Sequence, residues 1–372
     1  MFLLRELIFL SPLVVYVYFS IRRFITSKTA KGIFTAFYIL LLLAYPIAER
    51  LAHSSGDGWK KYAIIAGYYS LPFLLYLTMA VILADLAIGA ARLFKIITRE
   101  GVRSARFKKA CVSFLLAIPA FAVILGIMNY NYLRCREYTI EIPRKSSSIN
   151  RLKIVFAADL HLGRITPDHF LEKFVAKVNA QRPDIILIGG DVLEGDQRDE
   201  DTGKFETQFL RLESKYGVYA VPGNHEGHRG SRSDFFDRAG IRFLQDAVEK
   251  IDEAFYLAGR KDSRSRNRKS VDELLRNAPD DLPVILLAHR PIEFEEVSQS
   301  RVNIQLSGHT HNGQLFPVNL LSRHIYELSW GYLKKRQTHF FVTSGVQLWG
   351  PQVRTAGASE ILVIQVIFRE NS

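Results

Sequence analysis

Five short clusters of metal-binding side chains punctuate the last two-thirds of the chain. They are Asp159-Leu160-His161, Gly189-Gly190-Asp191, Gly223-Asn224-His225-Glu226, His289, and Gly308-His309-Thr310-His311. Carboxylate, imidazole and amide donors without any thiolate favour Mn, Fe or Zn at a reactive centre over a structural zinc site. The local spacing has physical content too. In an extended chain, residues i and i+2 point to the same face. Asp159 and His161 can then reach one ion from one side, and His309 and His311 can do the same. The adjacent glycines admit backbone where a β-carbon would clash. Backbone around Gly223 and Gly308 is expected to offer hydrogen-bond donors.

Taken singly, each cluster is weak. An Asp-x-His arises by chance, a Gly-Asp is usually a turn, and a lone His289 is more often a core residue than a ligand. Their joint placement carries the weight, because each follows a short apolar run. The runs are Lys153–Ala157, Asp184–Ile188, Val218–Val221, Val284–Ala288 and Asn303–Leu306. Their length and β-branched content suit buried strands. Between the first two, Pro167–Gln181 places Phe170, Leu171, Phe174, Val175 and Val178 at helical spacing. Thr166 is expected to cap that helix, with Pro167 in its first turn. The result is a β–α–β unit. Ligands collect at the carboxyl ends of strands in open α/β sheets, so the five clusters can converge in one cleft. Phe340–Thr343 and Ile361–Phe368 read as further strands, and Arg260–Lys269 as a polar loop. His169, His228, His324 and His339 lack the strand-end placement and are assigned structural roles. His53 lies outside this domain.

The elements that precede this domain are of another kind. Four uncharged apolar runs, Leu7–Ile21, Gly32–Ala48, Tyr62–Ala84 and Ala110–Leu133, have 15, 17, 23 and 24 residues. A spanning helix needs about 20. The first run lacks the basic n-region and small-residue cleavage site of a signal peptide, and three more runs follow it. Four transmembrane helices are therefore expected, with three if the short first run does not span. Asp85, near the end of the third run, is expected to reach the headgroups. The stretch Phe94–Lys109 reads either as a surface-lying basic segment or as a basic loop. Cys111 and Cys135 would stand roughly 36 Å apart along a helix rising about 1.5 Å per residue, too far for a disulfide.

Charge follows the same division. The 372 residues carry 49 Lys+Arg and 37 Asp+Glu, a net +12. Residues 1–130 hold 15 and 5 of these, a net +10, which leaves 34 and 32, a net +2, for the rest. The catalytic region is nearly neutral, so no nucleic-acid partner is expected. With four spans, the loops Arg22–Lys31 and Arg92–Lys109 share one side and carry eleven Lys+Arg, against four opposite. Counting Arg134, Arg136, Arg144 and Lys145 makes it eleven against eight. Basic loops stay cytoplasmic, which puts the catalytic domain outside the cytoplasm. The expected organisation is a transmembrane region over 1–133, a linker and leading strand over 134–151, and a catalytic domain over 152–372.

The ordered set Asp-x-His, Gly-Asp, Gly-Asn-His-Glu, His, Gly-His-x-His resembles the calcineurin-like metallophosphoesterases, over roughly residues 138–368. The stretches Ala157–Gly163, Ser307–Pro317 and Ser344–Arg354 are similar to the membrane-associated branch, which often has Gly where Asn312 stands. The resemblance implies a two-sheet α/β sandwich with a dinuclear centre at one edge. Asp159, His161 and His311 would hold one cation, Asn224, His289 and His309 the other, and Asp191 would bridge them. His225 would face the leaving group without binding metal. The implied activity is hydrolysis of a phosphodiester or pyrophosphate, including a lipid-linked one, by metal-activated hydroxide. Manganese is the first choice of cation, and iron or zinc the next. Leu315, Phe316, Leu348 and Trp349 are candidates for an apolar rim. Two alternatives stand beside this reading. One is a pyrophosphatase similar to those that cleave UDP-2,3-diacylglucosamine in lipid A synthesis. The other is a metal-bound scaffold without catalysis.

Overall fold

The computed structural model describes residues 2–52, 58–194, 199–226 and 233–370, so His53 and His228 lie outside the described residues. The chain divides into two compact units, Met1–Met128 with Gly350–Val353, and Asn129–Trp349 with Arg354–Ser372.

The first unit is helical, with α1 (Phe2–Arg22), α2 (Lys28–Ala52), α3 (Trp59–Leu93), α4 (Arg99–Arg103) and α5 (Ala105–Asn131). Three of these, α2, α3 and α5, are long and apolar enough to cross a membrane, at 25, 35 and 27 residues. The fourth expected span corresponds to α1, a helix of 21 residues that contains Arg5 and Glu6. Val17, Ile21, Tyr38, Leu77, Val81 and Leu115 pack together inside this unit. Asp85 has partners within this unit. It accepts hydrogen bonds from Tyr16 Oη at 2.7 Å and Ser20 Oγ at 3.1 Å, and pairs with Arg23. An ionisable group on an apolar helix finds a partner this way because an unpaired one is costly there. The basic stretch after α3 contains the short α4, capped by Thr98, which accepts from Gly101 N at 3.0 Å. Cys111 and Cys135 are both free thiols.

The second unit holds two six-stranded sheets. One runs β1 (Arg134–Pro143), β12 (Glu360–Arg369), β2 (Arg151–Ala157), β3 (Ile185–Ile188), β4 (Val218–Ala220), β5 (Ile241–Phe243). The other runs β10 (Gly331–Lys335), β11 (Thr338–Val342), β9 (Ile304–Ser307), β8 (Val284–Leu287), β7 (Phe255–Gly259), β6 (Ala247–Ile251). All seven strands anticipated from apolar runs are present, with ends shifted by one or two residues. Strands β2 to β5 are mutually parallel, as are β7, β8, β9 and β11. Their carboxyl ends therefore share a side within each sheet.

Alternation explains the layering. Leu152, Ile154 and Phe156 of β2 face Ile285, Leu287, Ile304 and Leu306 of the other sheet in one buried core. Val155 and Ala157 point the other way, toward Leu171, Phe174 and Val178 of α6 (Asp168–Asn179), Phe205 and Phe209 of α7 (Asp199–Phe209), and Phe236 of α8 (Ser233–Arg238). The second sheet is covered by α9 (Val271–Leu275) and α10 (Phe294–Gln299). Each large apolar side chain buried in these layers contributes about 1.5–3 kcal/mol relative to exposure, and both faces of both sheets are filled. One local expectation fails. Thr166 does not cap α6, because Pro167 at the N-cap position is extended and turns Thr166 back, where its hydroxyl accepts from Gly163 N at 2.9 Å.

Candidate metal centre

The ligands stand where the strands of both sheets end. Beyond the last paired residues of β2 and β3 the two chains continue side by side. Asp159 N donates to Gly190 O at 3.0 Å, His161 N to Asp191 O at 3.0 Å and Leu162 N to Val192 O at 2.8 Å. This parallel continuation fixes Asp159, His161 and Asp191 against one another. It is not the extended chain that the i, i+2 argument assumed. Asp159, His161, Asp191, His309 and His311 all have positive φ, between 42° and 73°. A non-glycine residue in that region costs on the order of 1–3 kcal/mol. The residues converge because the backbone coils at each strand end, not because alternate side chains share a face. Asn312, at the position where the resemblance implies Gly, has φ 48°. Asn is among the few side chains that tolerate this conformation, so it can stand where Gly would.

Two glycines are required by close approach. A β-carbon on Gly223 would overlap the Asp191 carboxylate, and one on Gly308 would stand 2.6 Å from Asp159 Oδ2. Their amides are not the free donors expected. Gly223 N donates to Glu226 Oε2 at 2.8 Å and Gly308 N to His289 O at 2.9 Å.

Three donor groups could each hold an ion: Asp159, His161 and His311; Asp191, His289 and His309; and His161, Asp191 and His225. His161 Nε2 and His311 Nε2 face each other at 3.3 Å. Two imidazole nitrogens take that arrangement when they serve a common cation. His289 Nε2 lies 3.1 Å from Asp191 Oδ2 and 3.3 Å from Asn224 Oδ1. Its ring stands 5.0 Å from that of His309. The far nitrogens are anchored, His161 Nδ1 by Glu194 Oε2 at 2.6 Å and His289 Nδ1 by Gly189 O at 2.7 Å. Such outer anchors set the tautomer and aim the free nitrogen at a metal. The donor chemistry and its anchoring thus fit divalent cations, and all seven residues expected as ligands converge.

The electrostatics point the same way. Burial alone discharges ionisable groups. It raises Asp159 to about 6 and, with the charge of His289, pushes His309 down to about 3. Burial and the neighbouring His161 hold His311 well below its ordinary value. Against burial, Asp191 and Asp159 push His289 up to about 10, and Glu194 raises His161. Burial opposes ionisation of Asp191 as well, yet His289, His161 and His225 keep it well below the carboxylate range. The proton held on His289 thus sits beside carboxylates, where a cation would otherwise supply the positive charge. Burial also works against protonated His225, but the bond to Glu194 and the charge of Asp191 push it up to about 9.

Three contributors escape sequence reasoning. Glu194 binds His161 and also approaches His225 Nδ1 with Oε1 at 3.3 Å. Its only sequence signal is an acidic residue ending the apolar pair Val192-Leu193 three positions after Asp191. Glu226, quoted above without a role, accepts from the amides of Asp191, Val192, Leu193 and Gly223 at 2.7–3.1 Å. It clamps two ligand loops together. Buried Arg354 donates to the carbonyls of Ser344, Gly345 and Gln347 at 2.7, 3.3 and 2.9 Å. That loop in turn backs Asp159, with Gln347 N donating to Asp159 O at 2.9 Å. Of the unassigned histidines, His169 and His324 are exposed, while His339 is buried in β11 beside Tyr332.

Comparison with known proteins agrees with this geometry. A family profile described as calcineurin-like phosphoesterase matches residues 152–313. An uncharacterized metallophosphoesterase of Aquifex aeolicus is 32% identical over 259 residues, covering 66% of this chain and 97% of that protein. One from Helicobacter pylori is 32% identical over 224 residues, which span 58% of this chain and 60% of its relative. A Danio rerio protein named transmembrane protein with metallophosphoesterase domain is 28% identical over 294 residues, 73% of this chain and 66% of the fish protein. The chain belongs to the calcineurin-like phosphoesterase family.

Proposed function

We propose that this chain is a membrane-anchored phosphohydrolase that cleaves a phosphodiester or pyrophosphate at or near a bilayer, using two divalent cations. Manganese is the first candidate, with iron or zinc next. The observation that carries this reading is the position of Asp191. Its Oδ2 lies 3.1 Å from His289 Nε2 and 4.0 Å from His161 Nε2. It therefore belongs to both halves of the centre, as a bridging carboxylate must. Asp159, His161 and His311 would hold one cation, and Asn224, His289 and His309 the other. When bound, such a pair supplies Lewis acidity to phosphoryl oxygens and eases deprotonation of water.

The chain's own residues do the rest. Water adds to phosphorus, the bond to the leaving oxygen breaks, and that oxygen needs a proton. His225 is suited to give it. Its Nδ1 is turned to Glu194 and its side chain is the more open one, 22% exposed against 2% for His161. Glu194 and Asp191 keep the ring protonated, so Nε2 carries the proton for transfer. Asn224 contributes a neutral oxygen, which limits repulsion of an anionic substrate. Glu226 and Arg354 hold the ligand loops rigid.

Hydrolysis of bis(p-nitrophenyl) phosphate by the full chain in detergent tests the reading. Activity should vanish on chelation and return with Mn²⁺. A chain that binds no divalent cation and turns over no phosphate ester removes it. We also propose that the catalytic domain is extracytoplasmic, on the strength of the eleven against four basic residues expected with four spans. Paired carboxyl-terminal fusions, one fluorescent and one an alkaline phosphatase, report the side. Fluorescence without phosphatase signal reverses the orientation and favours the pyrophosphatase of a cytoplasmic-leaflet nucleotide lipid.

A further inference from the structure

The helix that follows the last ligand is turned inside out. In α11 (Val318–Ile325), polar Asn319 and Ser322 are the buried residues, 8% and 9% exposed. Leu320, Leu321 and Ile325 are 52%, 59% and 62% exposed. Val318 and the preceding Phe316 are exposed too. A surface helix normally buries its apolar stripe and shows its polar one. A contiguous outward apolar face of this kind marks a contact with something apolar.

The helix is also fastened to the metal centre at both ends. A β-carbon on Gly313, two residues after His311, would stand 2.5 Å from Asn319 Cα, and Asn319 N donates to Leu315 O at 3.1 Å. At the other end, the ring of Tyr326 lies 6.3 Å from that of His309. Whatever covers the outer face of α11 is therefore held next to both cation positions.

From this we infer that α11 is a lipid-contacting rim of the active site, whose apolar face takes the acyl chains of a bilayer and of an amphiphilic phosphate substrate. Two observations select lipid over another occupant. Arg323 is exposed on the same helix, beside exposed His324. Apolar residues flanked by the Arg323 cation suit an anionic lipid interface. A second copy of this helix would set like charges against each other. The chain itself carries three helices long and apolar enough to cross a bilayer, which would tether it to one. Of the other apolar rim candidates, Trp349 is exposed, while Leu315 and Leu348 are buried. The inference rests on the phosphohydrolase reading only for its substrate half. Contact of α11 with lipid stands independently.

Two measurements on the full chain test it. In the first, Leu321→Cys is made with Cys111→Ser and Cys135→Ser, spin-labelled, and placed in nanodiscs of phosphatidylethanolamine and phosphatidylglycerol. The label should collide readily with oxygen and be sheltered from a nickel chelate, relative to a label at exposed Glu213. Equal access to the chelate at both positions overturns the lipid contact. In the second, the triple variant Leu320→Gln, Leu321→Gln, Ile325→Gln should lose at least about tenfold in kcat/KM for a lipid-linked phosphodiester in mixed micelles. Its turnover of soluble bis(p-nitrophenyl) phosphate should be unchanged. Equal loss on both substrates, or loss on neither, overturns the substrate role. Absence of any hydrolysis by the parent chain overturns the phosphohydrolase reading instead, and leaves the spin-label result to decide the lipid contact.

Discussion

The two halves of the proposed metal centre would draw on similar ligands but are supported differently. On one side, His161 is oriented by the Glu194 side chain, and Glu194 also reaches His225. On the other, His289 is oriented by the backbone carbonyl of Gly189, directly after β3. In the second half the anchor of His289 is backbone, which no side-chain substitution removes. The first half shares its support with the proposed proton donor, so ligand geometry and proton delivery are coupled there. A carboxylate anchor also makes an imidazole a stronger donor than a carbonyl does.

Removing what the halves share should have the largest effect. Asp191→Ala should lose both cations and all turnover, as measured by metal analysis and hydrolysis on the same preparation. Retention of either cation at full occupancy would show the halves to be independent. Next, His225→Ala should keep both cations and lose about 100- to 10,000-fold in turnover, the usual range for an acid–base residue. Loss of metal in that variant would instead make His225 a ligand, as one of the three donor groups permits.

The asymmetry itself is probed by Glu194→Gln. It should weaken one cation by roughly 10- to 100-fold, the ordinary effect of an outer anchor, and leave the other untouched. Turnover should fall further than metal occupancy explains, because His225 loses its partner as well. Equal weakening of both cations would remove the distinction between the halves.

How far the centre was legible follows from the same asymmetry. Every proposed ligand carries its chemistry in its own side chain and follows an apolar strand, so the sequence displays it. The anchors do not. Gly189 acts through a carbonyl that every residue possesses, and Glu194 is one acidic residue among many. Glu226 and Arg354 act on backbone, and only the folded chain brings that backbone to them. The strands were legible from β-branched runs, although β5, β6, β7 and β10 were not named, being short or set in stretches without a motif. Convergence of Asp159 and His161 was anticipated for the wrong reason, since left-handed backbone cannot be read from residue spacing.

The smallest effect serves as a control remote from both halves. Burial and the charge of Lys334 push buried His339 down to about 4, below its ordinary 6.5. The unfolded chain therefore binds a proton that the folded chain refuses between those values. Stability present above about pH 6.5 is lost as pH falls toward 4. His339→Phe should flatten the dependence of Tm on pH in that window while leaving metal content unchanged. A parallel curve for the variant would assign the acid sensitivity elsewhere.

The proposed bridge at Asp191 is the point on which the two halves would meet. Titrating metal-free full chain with Mn²⁺ and recording its electron paramagnetic resonance tests that bridge directly. The account predicts uptake of two ions per chain with the spectrum of a spin-coupled pair, and loss of that coupling in Asp191→Asn. Uptake of one ion with an isolated six-line signal, in a preparation that hydrolyses phosphate esters at full rate, would contradict it.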